Sequence, residues 1–194
     1  MKISAPLNNI FTKSAILGAV MLAVNLAVMY LVSKASFWLM ALAGLVSLLS
    51  YVLYGFLVYR FTKGYAQSLF KFRSDLTYFT YLNGFSYIVT ISMLAGVVTS
   101  LGSYFYLHHV VGYEEYINCY INIIRDAQGV AELPDSINSL YENIIKSLQD
   151  IPAPGFLSSI YGGVTSGCVL GLAIGSIVAI FTRCKPEASE TKNE

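Results

Sequence analysis

Charge is what this sequence has least of. Of 194 residues only 12% are Asp, Glu, Lys or Arg, about half the share carried by an ordinary soluble domain. The 12 basic and 11 acidic residues all fall outside four stretches, 14–32, 35–59, 76–113 and 151–182, which hold none. Each stretch exceeds the roughly 18 apolar residues that nominate a helix crossing a bilayer. With 56% hydrophobic residues and a mean hydropathy of +0.61, the chain reads as a small polytopic membrane protein. A net charge of +1 provides no basic face for nucleic acid, which is not expected as a partner. Three cysteines are too few for a disulfide scaffold. The topology derived below puts Cys119 outside, Cys168 in the bilayer and Cys184 in the cytoplasm, so each reads as a lone thiol.

Catalytic patterns are also missing. No Ser-His-Asp order, Walker loop, HExxH or CxxC occurs, so the reading is non-enzymatic, with no cofactor and no metal. His108-His109 are adjacent, and neighbouring helical side chains point about 100° apart, which suits an interfacial position better than chelation. No charged group lies inside any of the four stretches. Proton-coupled transporters usually depend on buried carboxylates or histidines, which weighs against secondary active transport.

What is present organises the chain as a single four-helix transmembrane domain over 1–194. The spans are expected at about 14–32, 37–59, 88–107 and 156–182, the first as a retained span rather than a cleaved signal peptide. At 19 residues its apolar run is longer than the 7–15 of a signal h-region. Ser33-Lys34-Ala35-Ser36 is so short that the first two spans must form a hairpin. Arg60–Asp75 reads as a polar, basic loop, with Lys63, Lys71 and Arg73 among Tyr65, Phe70 and Phe72, suited to topogenic charge and anionic lipid. Residues 76–87, rich in aromatics and hydroxyls, suit the headgroup level. With both termini and that loop inside, the cytoplasmic side holds nine Lys and Arg and the outer side three. The positive-inside rule therefore gives N-in, C-in. The tail 186–194 is too polar to bury and is expected to be disordered.

The outer segment, 108–155, carries two amphipathic patterns. One runs through Tyr116, Ile117, Tyr120, Ile121, Ile123 and Ile124. The other runs through Ile137, Leu140, Tyr141, Ile144, Ile145 and Leu148 and is the cleaner helical stripe. Pro134-Asp135-Ser136 suits a helix start. A helical hairpin is expected, with Ile137, Leu140, Ile144 and Leu148 turned inward and Glu142 and Asp150 toward water. Seven of the 11 acidic residues lie in this segment, without the convergent spacing of a cation site.

In the last span Ser159, Gly163, Gly167, Gly171, Gly175 and Ala179 recur at intervals of four. Such a face lets helix backbones approach closely, which is what drives association in lipid. It serves contacts inside one chain or between copies, so a homo-oligomer is an alternative. Ser92, Gly96 and Ser100 repeat the spacing in the third span and are the expected facing partner; Ala15, Ala19, Ala23 and Ala27 in the first are a second candidate. Asn25 is the most polar side chain near a span centre and must find a partner in the bundle, because lipid supplies none. With Ser47, Thr90 and Thr99 it would mark a polar track.

The tight first hairpin, the basic loop, Gly84-Phe85-Ser86-Tyr87 at the start of the third span and Pro154-Gly155 ahead of a Gly-rich last span together resemble domain-of-unknown-function family 4199. These are four-span bacterial membrane proteins with a helical outer segment, and the likeness in architecture extends over the full chain. The resemblance implies a multi-pass protein of the bacterial inner (plasma) membrane and carries over no activity or catalytic residues. Members tend to be encoded near polyprenol-phosphate glycosyltransferases, which implies a non-enzymatic accessory or scaffold role in the cell envelope. The alternative from the residues themselves is a small channel or carrier for an uncharged or lipid-linked solute.

Overall fold

A computed structural model of the chain describes residues 5–34, 36–73, 76–129 and 135–185. The described residues are all-helical: α1 Ala5–Val32, α2 Phe37–Phe72, α3 Tyr81–Tyr106, α4 Tyr113–Gly129, α5 Asp135–Gln149 and α6 Phe156–Phe181. A π-helical turn, Leu107–Val111, prolongs α3. Gly112 then adopts φ +88, a conformation that favours glycine, and turns the chain into α4. Four helices, α1, α2, α3 with its π turn, and α6, are long and apolar enough to cross a membrane. Pro134 and the tail 186–194, expected as a helix start and a disordered end, lie outside the described residues.

Three helices are longer than the expected spans. α1 begins at Ala5, nine residues before the expected start at Ser14. Its added turns are anchored by Asn9, whose Oδ1 accepts from the Tyr87 hydroxyl at 3.0 Å. α2 continues through the basic stretch to Phe72, where a loop was expected. The reason is periodic: Tyr54, Val58, Phe61, Thr62 and Ala66 all stay buried along one face while Arg60, Lys63 and Lys71 stay exposed on the others. Charges end the lipid-facing length of a helix, not the helix. α3 starts at Tyr81, where the Thr80 hydroxyl accepts from the Asn83 N–H at 3.3 Å and caps the first turn. The residues read as headgroup-level loop are therefore partly helical.

The core lies between α1, α2 and α3, where Leu17, Tyr54, Val58, Tyr87, Ile88 and Ile91 are buried. α3 is the central helix and packs chiefly on α6 and α1. At the end carrying both termini, the Phe79 N–H donates to the Cys184 carbonyl at 2.9 Å and fastens the α2–α3 loop to the end of α6. Gly84 fits this corner closely: a Cβ there would lie 3.0 Å from Thr182 Oγ1 and 3.3 Å from the Phe79 ring. At the other end α4 covers the α1–α2 hairpin, burying Ile121 and Ile123, and the Cys119 thiol contacts the Ser33 carbonyl at 3.6 Å.

α5 departs from the sequence expectation. Ile137, Leu140 and Ile144 do not turn inward: they are 39%, 57% and 40% exposed, and Leu148 is half-buried. Among the described residues α5 packs only on α4. α4 occupies the covering position over the α1–α2 hairpin, and α5, riding on it, has no second surface against which to close its apolar stripe.

Candidate functional site: a cavity beside the α3–α6 seam

The four-residue series on α6 lies along α3. Gly163, Gly167, Gly171, Gly175 and Ala179 are buried. A Cβ on Gly163 would fall 2.6 Å from both the Gly96 carbonyl oxygen and Ser100 Oγ. On Gly171 it would fall 3.0 Å from Val89 Cα and Ser92 Cβ. The Gly96 carbonyl oxygen and Val89 Cα are main-chain atoms of α3, so these approaches leave a side chain no room. The alternative partner row is not used: Ala15, Ala19, Ala23 and Ala27 are all exposed. α1 meets α3 through Gly18, where a Cβ would lie 3.0 Å from the Ala95 carbonyl oxygen.

Beside this seam, on its α2-facing side, is a cavity of about 440 Å³, a size that admits a small ligand. Met21 and Asn25 of α1, Tyr54 of α2, Ser92 through Leu107 of α3 and Ser158 through Leu170 of α6 line it. It exists because α2 diverges. Tyr54 and Val58 reach the core, whereas between Phe37 and Leu53 only Ala43 and Ser50 of α2 are buried. Gly162 of α6 borders the cavity with nothing within 4 Å of where its Cβ would stand. Ser159, the first residue of the four-residue series, also opens onto this space.

The wall is mostly carbon, interrupted by a few polar groups. At the floor the Tyr54 hydroxyl donates to Ser92 Oγ, and Ser92 in turn donates to the Ile88 carbonyl at 2.6 Å. Higher up, Asn25 Nδ2 donates to Ser103 Oγ at 2.7 Å. Ser103 donates to the Thr99 carbonyl at 2.8 Å, and Thr99 to the Ala95 carbonyl at 3.0 Å. At the rim His108 Nε2–H donates to the Pro154 carbonyl at 3.1 Å, tying the π turn to the lead-in of α6. Ser and Thr hydroxyls that donate to their own helix still present oxygen lone pairs. The Ser100 and Tyr104 hydroxyls have no hydrogen-bond partner among the described residues. No Lys, Arg, Asp, Glu or His is among the lining residues. The cavity is therefore rich in acceptors, holds a few free donors and carries no charge.

Of the polar track expected from the sequence, Asn25 and Thr99 line the cavity. Ser47 and Thr90 do not: each donates to its own helix, to Ala43 and Ser86, and Thr90 is exposed on another face. Sequence reading missed Tyr54, Tyr104 and Ser166. The available signal was helical spacing: Ser92, Thr99 and Ser103 share one side of α3, and Ser159, Gly162 and Ser166 one side of α6. Among the described residues no group of three His, Cys, Asp or Glu could hold a metal ion, and no disulfide joins the cysteines.

Four helices of this length and apolarity are those of a multi-pass integral membrane protein. No protein family, curated protein or solved structure matches the chain.

Proposed function

We propose that this is a non-enzymatic protein of a bacterial inner membrane that binds an uncharged, hydroxyl-bearing, lipid-linked solute in the cavity between α1, α3 and α6. The observation that carries the reading is the wall itself, which combines acceptor oxygens with the unpartnered Ser100 and Tyr104 hydroxyls and has no charge. A hydroxylated neutral group satisfies such a wall. A free ion would be left without a counter-charge in a low-dielectric site. The divergence of α2 leaves room for an attached hydrocarbon chain to remain in lipid. In this reading the binding site acts by holding and presenting the solute, as a carrier or an accessory to an enzyme that modifies it.

Two variants test the site. Gly162→Leu fills the cavity from a position where nothing stands within 4 Å, so the bundle is expected to fold with the site blocked. Asn25→Leu removes one interhelical hydrogen bond, worth about 0.6 kcal/mol on average inside membranes, and so is expected to barely move the melting temperature. Lipid extracted with the purified wild-type protein and identified by mass spectrometry is expected to include a neutral, hydroxylated headgroup. Both variants are expected to lose it at least tenfold. Undiminished co-purification with Gly162→Leu would remove the cavity from the function.

The exposed stripe on α5 favours a second, compatible role as a scaffold. Ile137, Leu140 and Ile144 present an apolar face that suits a membrane-associated polyprenol-phosphate glycosyltransferase, the partner class the family resemblance implies. Cross-linking from Leu140→Cys in native membranes tests it; a product that joins two copies of this chain would replace that partner with a homo-oligomer. Orientation is tested separately. With both termini cytoplasmic, Cys119 is expected to react with an impermeant maleimide in intact spheroplasts and Cys184 only after lysis. The reverse pattern would place α4 and α5 in the cytoplasm.

A further inference from the structure

Every carboxylate among the described residues lies between Glu114 and Asp150, on α4, α5 and the turn that follows. Among the described residues none lies at the end of the bundle that carries both termini, yet α1, α2 and the chain after α6 each deliver cations there. By chain segment, residues 1–13, 60–75 and 183–194 hold nine Lys or Arg and four Asp or Glu, while residues 108–155 with Lys34 hold three and seven. The molecule is strongly polarised although its net charge is only +1.

Three of the cations at this end are placed on aromatic rings. Lys13 Nζ lies 5.1 Å from the centre of the Phe61 ring, and Lys63 Nζ lies 5.0 Å from that of Tyr59. The Arg183 guanidinium lies 5.5 Å from that of Tyr81. The Cys184 carbonyl accepts from the Phe79 N–H and ties the end of α6 to the α2–α3 loop. Three helix ends and the α2–α3 loop thus close into one rim. Lys63, Arg183 and Lys185 are exposed along it, and Phe11, Phe72 and Tyr78 present exposed apolar surface at the same end.

We infer that this rim is a binding surface for the headgroups of anionic phospholipids in the adjacent leaflet. Cations held over rings at the bilayer edge match a phosphate attached to an acyl chain. The ring and the lysine stem meet hydrocarbon while the charge meets the phosphate. The exposed Phe11, Phe72 and Tyr78 favour a lipid over free phosphate, because a free ion has no apolar part to cover them. α2 suits this placement: its 36 residues span about 54 Å against a hydrocarbon core of roughly 30 Å, which carries Lys63 to the headgroups. This surface is at the opposite end of the bundle from the rim of the cavity and stands independently of it.

Native mass spectrometry of the purified full chain tests the inference with three probes: phosphatidylglycerol, phosphatidylcholine and inorganic phosphate. Phosphatidylglycerol is expected to be retained at least tenfold better than phosphatidylcholine, less so at high salt, and not displaced by millimolar phosphate. Each cation removed is expected to weaken binding about fivefold, so Lys63→Gln/Arg183→Gln/Lys185→Gln together lose roughly a hundredfold. Lys34→Gln/Lys146→Gln, at the other end, leave binding unchanged. Equal retention of the two lipids by the wild-type protein would overturn the inference, and this comparison does not depend on any variant folding. Displacement by phosphate would equally overturn it, by making the rim a free-anion site, as would a folded triple variant that keeps its phosphatidylglycerol.

Discussion

Gly167→Ile is expected to abolish the folded bundle. A Cβ at Gly167 would stand 2.9 Å from the Ser92 carbonyl carbon and 3.0 Å from Met93 Cα. Both are main-chain atoms of α3, so no rotamer change relieves the clash, and isoleucine adds three further carbons. Overpacking against side chains costs about 1–3 kcal/mol. Here α3 and α6 must separate along the most extensive contact between any two helices of the protein, so the loss is expected above about 3 kcal/mol, the top of that range. Gly162→Ile, five residues away, meets nothing within 4 Å and is expected within about 0.5 kcal/mol of wild type. Monodisperse yield and melting temperature in one detergent separate the two. Equal losses would mean that the seam holds by something other than close backbone approach.

Ile121→Asp is expected to detach the whole α4–α5 unit, whereas Leu140→Asp leaves it in place. Ile121 is only 2% exposed under α4. A carboxylate there must either lose its water without a partner, at a cost of several kcal/mol, or be forced to bind a proton. Helices of 17 and 15 residues are marginal by themselves in water. α5 rests on α4 alone among the described residues, so α5 is expected to loosen with it. Leu140 is 57% exposed, and a charge there is expected to change stability by less than about 0.5 kcal/mol. Amide exchange over 113–129 and 135–149 reads both: fast throughout in Ile121→Asp, unchanged in Leu140→Asp. Loss of protection in Leu140→Asp would show that the stripe is covered after all.

The contrast between these residues marks where sequence reasoning stops. Spacing identifies an apolar stripe on α5 as clearly as on α4, since both follow the helical period. It does not say which stripe is covered, because burial depends on where a neighbour stands. Likewise the absence of charge located four spans, but α2 runs 13 residues beyond Tyr59, the last residue before the cations begin. Its inward face carries Phe61, Thr62 and Ala66 there, a signal that the basic residues on the other faces conceal from any count of charge.

The sequence by itself determined the number of spans, the pair of amphipathic helices between the third and fourth spans and the small-residue face of α6. All three are local: hydrocarbon tolerates few charges over about 30 Å, and helical periodicity places residues on faces. Only the tertiary structure decided between the α3 row and the alanines of α1, which it turns away. It alone decided that α2 diverges between Phe37 and Leu53, and that Asn25, Ser100 and Tyr104 share the space this leaves. Those outcomes depend on the angles at which helices cross. Close approach at Gly96 and Gly163 brings α3 and α6 together, and Tyr54 against Ser92 is where α2 meets them. The volume between such contacts is a property of three helices at once, which no single stretch of chain encodes.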